Sequence, residues 1–246
     1  MATWKKKLAF YFVIISLIMY FIHYTIFKDF YFISKYVMAQ LGFLPISTLI
    51  VGIVINQFMA NRQKKEMLEK LNKLISVFFN EVGQKLVFVM KEFQVDHQSF
   101  YENFKDIEHW EDRDFHNMKR KLLDYEYTID INLGDLQKLK ELLQQERQFM
   151  IDLLENQNLL EHDKFTDLIW AILHINNEFM VQDRLDTLTK EDMEHITGDI
   201  LRAYKLLVLE WMDHMKHIKD NYPYLFSLAL RTMALREQRK IKKSKE

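Results

Sequence analysis

Residues 41–93 read LGFLPISTLIVGIVINQFMANRQKKEMLEKLNKLISVFFNEVGQKLVFVMKEF. The first nineteen carry no charge, and no proline follows Pro45 within the stretch. Beyond residue 60 the apolar residues Leu71, Leu74, Ile75, Phe78, Val82, Leu86, Val89 and Phe93 recur every three or four positions, the stripe of an amphipathic helix. Read as one helix, the 53 residues reach about 80 Å at about 1.5 Å per residue, the first third apolar enough for lipid and the rest suited to water. Gly83 within the stripe costs about 1 kcal/mol relative to Ala, which points to close packing or slight bending there.

Upstream, residues 8–27 (LAFYFVIISLIMYFIHYTIF) form a second uncharged run, long enough for a hydrocarbon core of about 30 Å. A cleaved signal peptide would need a shorter apolar run and a small-x-small site, and neither is found. The reading is therefore a transmembrane hairpin over residues 1–59, with spans 8–27 and 41–59. Lys5, Lys6 and Lys7 precede the first span and Arg62, Lys64 and Lys65 follow the second, which places both flanks in the cytoplasm. Residues 28–40 are then outside, and Phe30, Tyr31, Phe32 and Tyr36 suit the headgroup region. His23, Asn56 and Gln57 lie near the span ends rather than at mid-bilayer, so interfacial placement explains them better than a proton path. Gly42, Ser47 or Thr48, and Gly52 hint at close approach by another helix, although two spans enclose no pathway unless several copies assemble.

Composition sets the rest of the fold class. Five Gly and two Pro in 246 residues leave few of the residues that punctuate sheets and turns, so the expectation is all-α. The absence of Cys excludes disulfides, thiolate metal sites and a Cys nucleophile. The net charge of −1 is uneven: residues 1–59 carry +4, residues 231–246 carry +5, and the body between them is near −10. A nucleic-acid binder needs a concentrated basic face, so that class is set aside.

Residues 60–235 are expected to form a cytoplasmic bundle of about five helices, the first continuous with the second span. A second helix is placed over 99–127, with Phe100, Phe104, Ile107, Met118, Leu122 and Tyr125 inside, and a third over 135–160. A fourth runs from 165 to 182. The fifth begins at Thr189-Lys190-Glu191-Asp192, a capping-box pattern, and Pro223 kinks or restarts it. Residues 225–235 are apolar enough to dock on the bundle. Residues 236–246 form a basic tail suited to anionic headgroups or to solvent.

Candidate chemistry is sparse. On the second helix Glu102, Asp106, His109, Arg113 and His116 align opposite the apolar stripe, which reads as a solvated face. His174 and Glu178 on the fourth helix, with Glu210, His214 and His217 on the fifth, lie to one side of each apolar face and could meet at a seam between antiparallel helices. Imidazoles and carboxylates on facing helices are how bundles hold zinc, manganese or iron, while structural hydrogen bonds explain the same residues with no metal. No Glu-x-x-His occurs; Asp106 with His109 and Asp192 with His195 have that spacing, and nothing in the sequence completes them. No P-loop, Rossmann, Gly-x-Ser-x-Gly, His-Glu-x-x-His or EF-hand pattern is present, so neither catalysis nor a cofactor is expected. The leading expectation is a membrane-anchored bundle in the plasma membrane, both termini cytoplasmic, acting on other proteins as a scaffold or signal-relay subunit. A homo-oligomeric channel or transporter subunit is the first alternative and a metal-binding bundle the second. The partners expected are the lipid bilayer and another copy or another protein.

Overall fold

The computed structural model describes residues 2–96, 102, 104, 106–160, 162–182, 185 and 188–243. Ser99 and Phe100 of the expected second helix, Glu161, most of 183–187 and residues 244–246 of the tail lie outside them. The described residues are predominantly helical, with one isolated antiparallel bridge between Gln94 and Ile129 and no strand. The chain divides into two compact units, Met1–Lys65 and Glu66–Glu246.

In the first unit, α1 (Ala2–Phe27) is followed after two residues by α2 (Phe30–Phe78). Lys28 adopts φ 50°, which turns the chain, and the Asp29 carboxylate accepts the Phe32 N–H at 2.9 Å as a helix cap. With that cap and no breaker before Gln40, the connection between the two helices is Lys28 and Asp29 alone, and residues 30–40, read as part of the linking segment, are helical. The His23 ring lies 4.8 Å from Phe27 and stacks on Phe32 at 5.6 Å across this turn. Pro45 sits inside α2, where the Ser47 and Thr48 hydroxyls donate to the Leu44 carbonyl at 3.0 and 2.8 Å. By length and apolarity both helices could cross a membrane, and neither apolar window is buried in the protein.

In the second unit the stripe of α2 is buried from Leu71 through Ile75 to Phe78. The helix then widens into a π turn, Phe79–Gly83, and resumes as α3 (Gln84–Met90), closing in a 3-10 turn, Lys91–Phe93. Adjacent residues of an α-helix point about 100° apart. Here both Phe78 and Phe79 are fully buried, their rings 5.1 Å apart, with Phe78 also edge-on to Phe165 at 5.1 Å. Gly83 permits this. A Cβ there would lie 2.5 Å from Phe79 Cδ1 and 2.8 Å from Phe78 Cε1. Gly83→Ala is expected to lower the denaturant midpoint, because overpacking costs about 1–3 kcal/mol against about 1 kcal/mol gained in helix propensity. A raised midpoint would show that the two rings yield freely.

The expected second helix is shorter than its pattern. Asp114 accepts from the Glu111 N–H at 2.9 Å and opens α4 (Asp112–Asp124), preceded by a 3-10 turn at Ile107–His109. From Tyr125 the backbone is extended, and Tyr127, Ile129 and Ile131 are buried in alternation. Aromatic and β-branched residues at a period of two explain why residues 125–127 leave the helix expected to run to 127. Glu102, Asp106, His109, Arg113 and His116 are all exposed.

The expected third helix is three pieces: α5 (Leu136–Gln145), α6 (Arg147–Leu154) and α7 (Gln157–Leu160). Lys85 holds the Glu146 carboxylate at 2.8 Å at the first break. Asn156 makes the second by accepting the Asn158 N–H at 3.1 Å, a side-chain turn that competes with helix.

α8 (Asp163–Val181) and α9 (Lys190–Asn221) form the most extensive helix–helix contact. Thr189 and Asp192 cap α9 reciprocally, as their spacing predicts. α9 ends at Asn221 with Tyr222 as its C-cap, and Pro223 begins α10 (Pro223–Lys243), where its missing N–H costs nothing. α4 and α10 pack on α9, α5 to α7 pack on α8, and α3 touches both α9 and α5. Among the residues of α10 whose side chains are described, Phe226 and Ala229 are buried.

Candidate functional site

α8 carries His174 and Glu178 one turn apart, and α9 carries His195 and Asp199 with the same step. Antiparallel packing brings each imidazole to the carboxylate of the other helix. His174 Nε2 lies 3.3 Å from Asp199 Oδ2, and His195 Nε2 lies 3.9 Å from Glu178 Oε1 and 3.4 Å from Asp199 Oδ2. The two rings are nearly perpendicular, centroids 5.9 Å apart. Donor atoms of His174, Glu178 and His195 all lie within 4.8 Å of one another. The histidines are about half exposed, whereas Asp199 is 15% exposed and its Oδ2 is closed to solvent with no hydrogen-bond partner. Ile175, Ile196 and Ile200, buried beside these residues, fix the two backbones.

A second polar cluster lies further along α9, about 16 Å from Asp199 to Glu210 at about 1.5 Å per residue. Glu210 and His214 are buried and, with His217, Asp213, His162, Asn72 and Ile75, line a cavity of about 60 Å³. The His214 ring stacks 4.7 Å from Phe79 in the π turn, and neither ring nitrogen has a hydrogen-bond partner. Desolvation, with the nearby Asp213 charge, pushes the Glu210 carboxyl up to about 7, against the pull of Lys119 and Lys164. Desolvation and His217 bring His214 down to about 4. Burial also lowers His217, which lies 3.3 Å from the Asn221 amide nitrogen. Burial thus favours the neutral form of both groups around a cavity with space for a water or two.

Residues 67–231 match the family described as the C-terminal helical domain of uncharacterized protein MJ1433, and residues 1–59 match the N-terminal helical domain of MJ1433. Uncharacterized protein MJ1433 of Methanocaldococcus jannaschii is 40% identical over 219 residues, which is 89% of this chain and 88% of that protein. The chain belongs to the MJ1433 family. No solved structure matches it.

In this MJ1433-family member the five residues expected at one seam are divided between two places. His174 and Glu178 join His195 and Asp199, while Glu210, His214 and His217 surround the buried cavity. Helical facing angles put all five beside the α8–α9 boundary but not at one height, because height depends on the register between helices. His195 and Asp199 escape a search for Glu-x-x-His. The signal that finds them is the repeated His-x-x-x-carboxylate step on two successive helices.

Proposed function

We propose that this chain is a membrane-anchored helical-bundle protein of the plasma membrane that acts by contact with other proteins, as a scaffold or signal-relay subunit. The observation that carries the anchor is the exposure of α1 and the first part of α2: Phe12, Leu17, Phe21, Leu49, Ile53 and Val54 each present more than half of their surface, and the apolar windows have no buried residues. Side chains of this kind need lipid or another apolar cover. The bases at 5–7 and at 62, 64 and 65 orient both flanks to the cytoplasm and the Lys28–Asp29 turn to the outside. The acidic bundle without a catalytic motif supports a binding role over turnover.

Because the chain has no Cys, single-cysteine variants report topology directly. In intact cells Asp29→Cys is expected to react with a membrane-impermeant maleimide, and Lys65→Cys only after lysis. Equal labelling of both before lysis, or release of the protein by alkaline carbonate, would overturn the anchor. Ion flux through proteoliposomes of the purified protein would replace the scaffold reading with the homo-oligomeric channel.

A further inference from the structure

We propose that His174, Glu178, His195 and Asp199 bind one divalent transition-metal ion of the zinc class, clamping α8 to α9. The donor atoms of His174, Glu178 and His195 lie within 4.8 Å of one another, and Asp199 Oδ2 lies 3.3 and 3.4 Å from the two imidazoles, so each of two long helices contributes one imidazole and one carboxylate. A tetrahedral ion with metal–nitrogen and metal–oxygen bonds of about 2.0–2.2 Å separates its ligand atoms by about 3.4 Å. The separations of Asp199 Oδ2 from the two imidazoles, 3.3 and 3.4 Å, fall at that edge length, and the Glu178–His195 separation of 3.9 Å closes to it with a small side-chain rotation.

Donor chemistry narrows the ion. Two imidazole nitrogens and two carboxylate oxygens suit Zn²⁺ and its neighbours Co²⁺ and Ni²⁺; Ca²⁺ and Mg²⁺ prefer oxygen alone, and Cu⁺ prefers sulfur, which a chain without Cys supplies only through Met. Asp199 Oδ2 adds an independent sign, since a solvent-closed carboxylate oxygen lies between two Nε2 atoms yet accepts no hydrogen bond from either. A cation shared by the three groups satisfies it. The half-exposed histidines leave the outer side open, so the ion enters from solution and exchanges. The site lies within the second compact unit and is independent of the membrane reading.

The full-length protein, purified in detergent and stripped with chelator, is titrated with Zn²⁺ by calorimetry and with Co²⁺ by visible absorption. Expected are one equivalent of Zn²⁺, a cobalt spectrum of tetrahedral intensity that Zn²⁺ abolishes, and a higher thermal midpoint with Zn²⁺ than without. Asp199→Asn is expected to weaken Zn²⁺ binding by about 10–100-fold, and His174→Ala combined with His195→Ala to eliminate it. His217→Ala is expected to bind as the wild type does. Far-ultraviolet circular dichroism verifies that each variant is folded; these side chains are partly exposed, and Asp199→Asn keeps the shape should the double variant unfold. Full binding by folded Asp199→Asn, no wild-type binding at millimolar Zn²⁺, or equal affinity for Mg²⁺ would each overturn the site.

Discussion

Glu210→Gln is expected to stabilise the folded protein by about 3 kcal/mol at pH 8 and by almost nothing at pH 4. In the folded chain the Glu210 carboxyl keeps its proton up to about pH 7, whereas the ordinary value is 4.5. Between those values the native state holds a proton that the unfolded state has released, so stability falls as pH rises from 4.5 to 7. Gln reproduces the neutral carboxyl and cannot ionise, which removes that loss. His214 acts in the opposite sense. Its folded value near 4 lies below the ordinary 6.5, so its contribution is present above 6.5 and is lost as pH falls toward 4. In the wild type the two slopes oppose one another between 4.5 and 6.5. Glu210→Gln should therefore expose the His214 limb as a steep rise in stability over this range. Urea unfolding at half-unit pH steps measures both effects, and a variant curve parallel to the wild type from pH 4 to 8 would show that the Glu210 carboxyl ionises normally.

Trp211→Ala is expected to cost about 3–5 kcal/mol, the range for deleting a large aromatic side chain from a core. Trp211 is 2% exposed at the centre of α9 and meets Phe104 edge-on at 5.4 Å. Phe104 lies 6.0 Å from Trp110, which is edge-on to Phe115 at 5.2 Å, so one chain of rings connects α9 to α4. Such pairs contribute about 0.5–1.5 kcal/mol beyond the area they bury. Trp211→Phe retains part of the ring contact and should lose about 1–2 kcal/mol. Denaturant titration separates these values, and a loss below 1 kcal/mol for the alanine variant would mean that neighbouring rings close the space. Outside the ring chain, Lys119 pairs with Asp213, Lys216 with Asp112 at 2.6 Å, and Lys219 Nζ donates to the Glu108 carbonyl at 2.7 Å. These are partly exposed contacts that set the α4 register more than its stability.

Helix content was legible because it depends on local quantities. Scarce Gly and Pro, the period of residues 71–93, the Thr189–Asp192 cap and the restart at Pro223 are each decided within a turn or two of chain. The breaks within 135–160 and the early end of the helix read to residue 127 were not legible. The α5–α6 break at Glu146 coincides with its pairing to Lys85, 61 residues away, and residues 125–127, read as helix, leave it next to the bridge between Ile129 and Gln94. The π turn likewise follows from contacts of Phe78 with Phe165 and of Phe79 with His214.

By itself, the sequence determined that the chain is helical, that its first sixty residues hold two apolar runs of membrane length, and that His and carboxylate residues flank the faces α8 and α9 bury. Only the tertiary structure decided which of those residues meet. Periodicity fixes the angle at which a side chain leaves its helix, whereas the height at which two helices pair comes from interlocking side chains distant in sequence. That height puts His174 and Glu178 against Asp199 and His195, and leaves Glu210 and His214 beside Phe79 and a small cavity, where burial shifts both groups toward their neutral forms.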